Sequence, residues 1–276
     1  MIDIWEETMV RNVHIFDNGI KVSNTHLTSG QRKRYSKCNV HEAEEEAIFI
    51  SIIKSIPLDG CFVDIGSAIG YYPILAKKLS SNLTIHAVEP LELHRKYFIE
   101  NIELNNMNMS DFQIHAEGIS SSDGFVKFVE KRFSSRIEQG QKERKSFKSE
   151  VKAPIKKLLF HLGFNNFEPP RKNVIPTITL DKLIDIVGRP VDLLQMDVQG
   201  LELDVLKGGL RSMQTGYIKT FLIGTHSHSL HRECLDFLQK FDYRIEFENN
   251  ETKKQPDGII VGSKGVSRPP LPYAGD

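Results

Sequence analysis

The sequence predicts an α/β fold with a central, mostly parallel seven-stranded sheet and helices on both faces. Three observations predict it. Short apolar runs, Cys61-Phe-Val-Asp-Ile, Thr84-Ile-His-Ala-Val and Phe112-Gln-Ile-His-Ala, alternate with stretches of helical periodicity at 71–80 and 91–106. After an interruption the alternation resumes with Val191-Asp-Leu-Leu-Gln-Met-Asp, a helical stretch near 199–208 and Thr220-Phe-Leu-Ile-Gly. The first apolar run also enters a glycine-bearing turn directly before a helix, in Phe62-Val-Asp-Ile-Gly-Ser-Ala-Ile-Gly-Tyr-Tyr. Strand-length runs that alternate with amphipathic helices make right-handed βαβ units and hence a parallel sheet.

Taken in order, residues 11–22 place the turn signal Asp17-Asn-Gly between two short runs, which predicts a β-hairpin. Residues 30–37 are polar and basic, and a helix opens at His41-Glu-Ala-Glu-Glu-Glu and ends at Pro57. Phe125-Val-Lys-Phe-Val-Glu follows a Ser-Ser-Asp-Gly turn and reads as an extra hairpin strand. The helix near 199–208 is expected to be closed by Gly208-Gly209. A helix at 229–241 and strands at Tyr243-Arg-Ile-Glu-Phe and Gly258-Ile-Ile-Val-Gly complete the set. The expected organisation is a hairpin-and-helix extension over 1–57 and a main domain over 58–264 carrying a basic, lid-like insertion at about 131–176. A flexible, proline-bearing tail over 265–276 follows.

The chain has 276 residues, 39% of them hydrophobic, and 36 Lys+Arg balance 36 Asp+Glu. That balance argues against a uniformly basic nucleic-acid binder and an acidic disordered chain. It conceals one segment, 127–157, in which eleven Lys/Arg stand against four Glu. Such a run is ordinarily wet surface, and it also suits a phosphorylated or nucleotide-linked substrate. There is no apolar run of membrane-spanning length and no signal-peptide pattern. Cys38, Cys61 and Cys234 are too few and too scattered for a disulfide framework or a thiolate zinc knuckle, so a reducing cytoplasm is expected.

The turn after the first core strand carries Gly66 and Gly70, which allow positive φ and close backbone approach of a nucleotide-like ligand. The spacing Asp-x-Gly-x-x-x-Gly is not that of a pyrophosphate cradle, and no Gly-Lys-Ser/Thr of a P-loop is present. Glu89, ending Ala87-Val-Glu-Pro, stands where a carboxylate can accept both hydroxyl hydrogen bonds of a ribose. It could instead offset the dipole of the next helix. Asp197 closes an apolar strand and could hold an acceptor hydroxyl, accept a proton, or cap the following helix. His226, His228 and His231, in Thr-His-Ser-His-Ser-Leu-His, are candidates for a general base or a substrate contact. No residue is assigned as a metal ligand, although a divalent ion on Asp197 and two of these histidines is chemically reasonable. Trp5, Tyr71 and Tyr72 could line the pocket, and His41 with Glu42, Glu44, Glu45 and Glu46 could border it. An acidic helix start explains those glutamates without a function.

At this point the sequence resembles the FkbM family of class I S-adenosylmethionine-dependent methyltransferases, with a Rossmann-like fold. The matching pieces occur in order: Val63-Asp-Ile-Gly-Ser-Ala-Ile-Gly-Tyr-Tyr, Ala87-Val-Glu-Pro, Gly118-Ile-Ser-Ser-Ser-Asp-Gly, Thr179-Leu-Asp-Lys-Leu, and the block from Val191 to Gly208. The resemblance implies that Asp64, Gly66, Ser67, Ala68, Gly70 and Tyr71 surround the methionine and ribose of S-adenosylmethionine. It puts Glu89 and Pro90 at the ribose, Glu117 and Gly118 beside the adenine, and Asp197 near the transferred methyl, where it could also bind the cofactor through its amino group, with His226 matching a family histidine. The chain departs from the family pattern at Ala68, where Asn is usual, at Gln195 (Lys), and at Gln199 and Gly224 (both Glu).

The expected activity is O-methyl transfer from S-adenosylmethionine to a hydroxyl of a sugar, glycan or related natural product, with Asp197, His226 and His228 as catalytic residues and S-adenosylhomocysteine as product. The alternatives are an RNA methyltransferase that uses the basic segment, and an S-adenosylmethionine-binding protein without turnover. RNA is disfavoured because the segment and its flank offer few residues for stacking, Phe133, Phe147 and Phe160 among them.

Overall fold

The computed structural model describes residues 12–129, 136–137, 172–250 and 258–273. The chain forms two units, one running up to Gly124 and again from Thr177, the other Phe125–Pro176. Trp5 and nearly all of the basic insertion expected at about 131–176 lie outside the described residues.

In the first unit β1 (Val13–Ile15) and β2 (Lys21–Ser23) pair antiparallel as the expected hairpin. A helix that the sequence reading passed over, α1 (Ser29–Tyr35), follows. Its start is a capping box: the Gln31 backbone N–H donates to Thr28 Oγ1 at 3.0 Å, and the Thr28 N–H donates to Gln31 Oε1 at 2.9 Å. Next come α2 (Ala43–Ser55), β3 (Cys61–Ile65), α3 (Tyr71–Leu79), β4 (Thr84–Val88), α4 (Glu92–Leu104), β5 (Gln113–His115) and β6 (Gly118–Ser120). In the second unit β7 (Gly124–Val129) pairs antiparallel with β8 (Arg136–Ile137). After β9 (Lys172–Thr179) the first unit continues with α5 (Leu180–Val187), β10 (Leu193–Met196), α6 (Glu202–Lys207), α7 (Leu210–Gln214) and β11 (Thr220–Thr225). It ends with α8 (His228–Lys240), β12 (Arg244–Asn249) and β13 (Gly258–Ser263).

The main sheet has seven strands in the order β12-β13-β11-β10-β3-β4-β5. The run from β11 to β5 is parallel, and β13 is antiparallel to both of its neighbours. Every residue of β3, β10, β11 and β13 is buried, as strands covered on both faces must be. One apolar layer, including Phe49, Ile52, Ile74, Leu75, Phe98 and Ile102, packs α2, α3 and α4 on one face. Leu180, Leu183, Val205, Leu206, Met213 and Leu238 pack α5 to α8 on the other. Strand order reverses between β3 and β10, and in open α/β sheets ligands settle beyond the carboxyl ends of the strands at such a switch point.

Gly208 caps α6 as expected, with φ −76° and so without a left-handed turn. A Cβ on Gly208 would stand 2.2 Å from the Ser120 carbonyl oxygen, so close packing of α6 on β6 is what excludes a side chain there. The tail from residue 265 is anchored over its described part. Leu271 is buried, and the Arg268 guanidinium pairs with Glu246 at 3.1 Å and donates to Thr220 Oγ1.

The Leu-Asp-Lys-Leu block has a structural use. Thr179 caps α5, and the Asp181 carboxylate accepts from the backbone N–H groups of Arg211 and Ser212 at the head of α7, at 3.0 and 2.8 Å. It also accepts from Ser212 Oγ at 2.6 Å. Asp181→Ala is expected to cost ~1–3 kcal/mol of stability in urea unfolding, because helix N–H donors lose their acceptor. Cofactor affinity at an unchanged site should not move, and a large loss of affinity would place Asp181 in a different role.

Candidate active site

The parallel register sets the candidate residues side by side. Asp64 lies in β3 between Gln195 of β10 and Ala87 of β4. Glu89 directly follows β4, Glu117 and Gly118 follow β5, Asp197 follows β10 and His226 follows β11. All stand at the carboxyl edge of adjacent strands, astride the switch point. Neighbouring strands are about 4.8 Å apart, so this edge spans a ligand of nucleoside size.

The β3–α3 turn is built around two positive-φ glycines, Gly66 at 93° and Gly70 at 83°. The expected positive φ is present at both, and packing gives each a further reason to be glycine. A Cβ on Gly66 would lie 2.1 Å from the Asp197 carbonyl oxygen, and one on Gly70 would lie 1.9 Å from the Phe98 ring. These glycines let the turn press against the β10–α6 loop and α4. Ala68 adopts φ 45° and Gln199, in the facing loop, φ 55°. Left-handed backbone in residues with a Cβ is strained, and both instances fall in the two loops that border the switch point.

Glu89 is buried, and both of its oxygens are engaged. Oε2 accepts from the Ala68 N–H at 2.9 Å and Oε1 from the Leu91 N–H at 2.8 Å, with His94 Nδ1 3.5 Å from Oε2. The Leu91 bond meets the helix-start reading of Glu89, and the Ala68 bond ties the carboxylate to the β3–α3 turn. A carboxylate offers about four lone-pair sites, so capacity remains for the two hydroxyls of a ribose. Asp64 is also buried, and burial pushes its carboxyl up to about 7, aided by the Asp197 and Glu89 carboxylates and opposed by Ser67. Ser67 Oγ donates to the Asp64 carbonyl at 3.0 Å, which closes the turn on itself. Glu117 Oε2 accepts from the Ala116 N–H at 3.1 Å.

On the other side of the switch point three residues converge. Glu202, in the first turn of α6, is fully buried, and its Oε1 accepts from the N–H groups of Val198 and Gly200 at 3.3 and 3.1 Å. His226 Nδ1 stands 3.0 Å from the same oxygen, and His226 Nε2 is 3.2 Å from Asp197 Oδ1. The Gln199 side-chain amide reaches both, at 2.8 Å from His226 Nε2 and 2.9 Å from Asp197 Oδ1. Both ring nitrogens of His226 are thus engaged, and the Asp197 side chain is 40% exposed.

Other expected residues lie elsewhere. His228 is exposed on α8, with Asn250 Oδ1 3.4 Å from its Nδ1, and the structure does not bring it to the cluster. His231 is buried 2.8 Å from Thr225 Oγ1. The Tyr71 hydroxyl donates to Glu46 Oε2 at 2.5 Å and accepts from Asn18 Nδ2 at 2.8 Å. Tyr72 packs edge-on to Tyr71 and against Phe49. Glu45 and Glu46 are buried rather than lying at a solvated helix start, and Gln195 Nε2 donates to Glu45 Oε1 at 2.7 Å. His41, 2.6 Å from the Tyr35 hydroxyl, is pushed down to about 3 by burial and by Arg34. Pro90 is half-buried ahead of α4.

Comparisons with known proteins identify the family. Residues 64–245 match the methyltransferase FkbM domain. The chain belongs to that family. A protein described as a methyltransferase from Jannaschia sp. (strain CCS1) is 41% identical over 70 residues, which make up 25% of this chain and 24% of that protein. Methyltransferase 1 of Beauveria bassiana (strain ARSEF 2860) is 26% identical over 164 residues, covering 56% of this chain and 61% of the relative. The chain thus spans less than two thirds of either relative. The crystal structure of methyltransferase FkbM from Methylobacillus flagellatus KT superposes with a TM-score of 0.50 at 14% identity, over 75% of this chain and 44% of that one. That likeness concerns the fold, a Rossmann-like class I methyltransferase architecture. With the family established, the donor set of the edge can be tested against its cofactor. S-adenosylmethionine is the cofactor of this FkbM domain, and the buried carboxyl groups of Glu89 and Asp64 and the polar residue Glu117 have a chemistry that suits it. Among the described residues no helix is long and apolar enough to cross a membrane.

Proposed function

We propose that this chain transfers a methyl group to a hydroxyl of a sugar, glycan or related natural product. The observation that carries the reading is the joining, at one switch point, of the Asp64–Glu89 cofactor edge to the anionic group of Asp197, His226 and Glu202. S-adenosylmethionine supplies an electrophilic methyl on its sulfonium when bound. Glu89 would take the ribose hydroxyls, Asp64 the ammonium end, and Glu117 and Gly118 the adenine. Asp197 receives the acceptor's hydroxyl hydrogen bond and then its proton, while His226, braced by Glu202, fixes the carboxylate's direction. A group with hydrogen-bond acceptors and negative charge suits an alcohol, which brings a proton to lose. Positioning supplies most of the rate in such a transfer, so the rigidity of the two loops matters as much as the base.

The test is calorimetric titration with S-adenosylhomocysteine in parallel with NAD, followed by a screen of sugar and glycan acceptors for methylated product. Binding of S-adenosylhomocysteine alone and a methyl ether on a sugar hydroxyl are the expected results. Binding of NAD instead, or methylation confined to RNA in a salt-dependent manner, would overturn the reading.

A pH dependence follows from Asp64. Its carboxyl sits near 7, above the unfolded value of 3.8, so the folded chain holds the extra proton between these values. The stability tied to that proton is full below the unfolded value and is lost as pH rises through 7. A cationic ammonium favours the ionised form, so cofactor affinity should rise from about pH 6 to about pH 8, and the rise should flatten in Asp64→Asn. An identical slope in the variant would detach Asp64 from the cofactor.

A further inference from the structure

We infer that Asp197, Glu202 and His226 form a binding site for a divalent cation of the Mg2+ or Mn2+ kind, set where the acceptor hydroxyl arrives. The inference deepens the methyl-transfer reading and rests on it for the role of the ion, but not for its binding.

The first observation is geometric. One donor atom from each of the three residues lies within 4.8 Å of the others. Ligands on adjacent corners around a cation bonded at about 2.1–2.3 Å stand roughly 3 Å apart, and opposite ligands a little over 4 Å. The 3.0 Å separation of Glu202 Oε1 from His226 Nδ1 and the 3.2 Å separation of Asp197 Oδ1 from His226 Nε2 have the adjacent spacing. An imidazole binds one ion through one nitrogen, so the ion would take the place of one of these two His226 contacts, with Asp197 and Glu202 supplying the oxygens. The donor set of two carboxylates and one imidazole suits Mn2+ and its harder neighbours better than a thiophilic metal.

The second observation is independent of spacing and concerns Glu202. Its side chain is fully buried, and Oε2 has no hydrogen-bond partner. A buried carboxylate oxygen without a donor is costly, and metal coordination is one of the few arrangements that satisfies it. The Gln199 amide points to the same deficit, since its N–H groups reach both Asp197 Oδ1 and His226 Nε2. They put the positive end of a dipole between two electron-rich atoms, where a cation would serve better.

The chemistry gives the ion a use. An alcohol holds its proton far more tightly than a carboxylate can draw it away, so Asp197 alone is a weak base for a sugar hydroxyl. A divalent cation beside it holds the acceptor oxygen and makes its proton easier to lose, and Asp197 takes that proton. A vicinal diol, with two oxygens for the open positions, is the acceptor this arrangement favours.

Mn2+ titration of the full chain, read by loss of the free-ion paramagnetic resonance signal, tests the site. One Mn2+ per chain is expected, with affinity at least about tenfold weaker in Glu202→Gln and in Asp197→Asn. The thermal midpoint should rise with Mn2+ in the wild type and not in the variants. Should Glu202→Gln lose its cooperative melt, the more exposed Asp197→Asn carries the comparison. An undiminished free-ion signal at millimolar Mn2+, or equal affinity in wild type and variants, overturns the inference. A parallel titration with S-adenosylhomocysteine separates the two claims: cofactor binding without Mn2+ binding sinks the cation alone, and Mn2+ binding without cofactor binding sinks the methyl-transfer reading alone.

Discussion

Asp197→Asn lowers turnover by about 10²- to 10⁴-fold and leaves S-adenosylhomocysteine affinity within a factor of a few. The expectation comes from what the substitution keeps and what it removes. Asn has the shape of Asp and retains an amide oxygen for the Gln199 N–H group, which lies 2.9 Å from Asp197 Oδ1. The main-chain contact of the β10–α6 loop with Gly66 is unaffected, so the cofactor side keeps its form. What disappears is the charge that faces His226 Nε2 and, in the proposed reaction, the group that takes the acceptor's proton. The measurement is a kcat and KM comparison on an acceptor found by screening, beside calorimetry with S-adenosylhomocysteine. An equal fall in turnover and cofactor affinity would move Asp197 to the cofactor. Unchanged turnover would remove it from the chemistry.

The legible parts of this site are those fixed by strand ends. Asp64 lies near the end of a buried apolar run and Glu89, Asp197 and His226 each follow one, and parallel strands in one sheet bring their carboxyl ends to one edge, so four separated motifs become neighbours. The fold was legible for the same reason, because alternating runs leave few topologies open. Contacts made by side chains across the fold were not. Nothing local says that Glu202, in the first turn of a helix, points inward beneath His226 and does not offset the dipole at the surface. Nor does anything local say that the Asn18 and Glu46 side chains take the Tyr71 hydroxyl. Periodicity tells which face is apolar and not which distant polar group completes a hydrogen bond. The α1 helix is a different case, since the Thr28-Ser-Gly-Gln31 capping signal was present and its basic composition obscured it.

Glu89→Ala weakens S-adenosylhomocysteine binding by ~1–3 kcal/mol, about 5- to 150-fold in affinity. Two different losses could produce that number. If Glu89 holds the ribose, the charge-assisted bonds to its hydroxyls disappear. If it only organises the site, the Ala68 and Leu91 N–H groups lose their acceptor, and the turn that Ala68 holds at positive φ relaxes. An S-adenosylhomocysteine analogue lacking both ribose hydroxyls separates them in a double-difference cycle. With ribose contact, the analogue binds the wild type weakly and loses little more in Glu89→Ala, because the partner of Glu89 is already gone. With a purely organising role, the analogue loses as much as the natural compound does. Glu89→Gln adds a third point, since it keeps one acceptor oxygen in an uncharged group and should fall between the other two if hydrogen bonding to a diol is the decisive interaction.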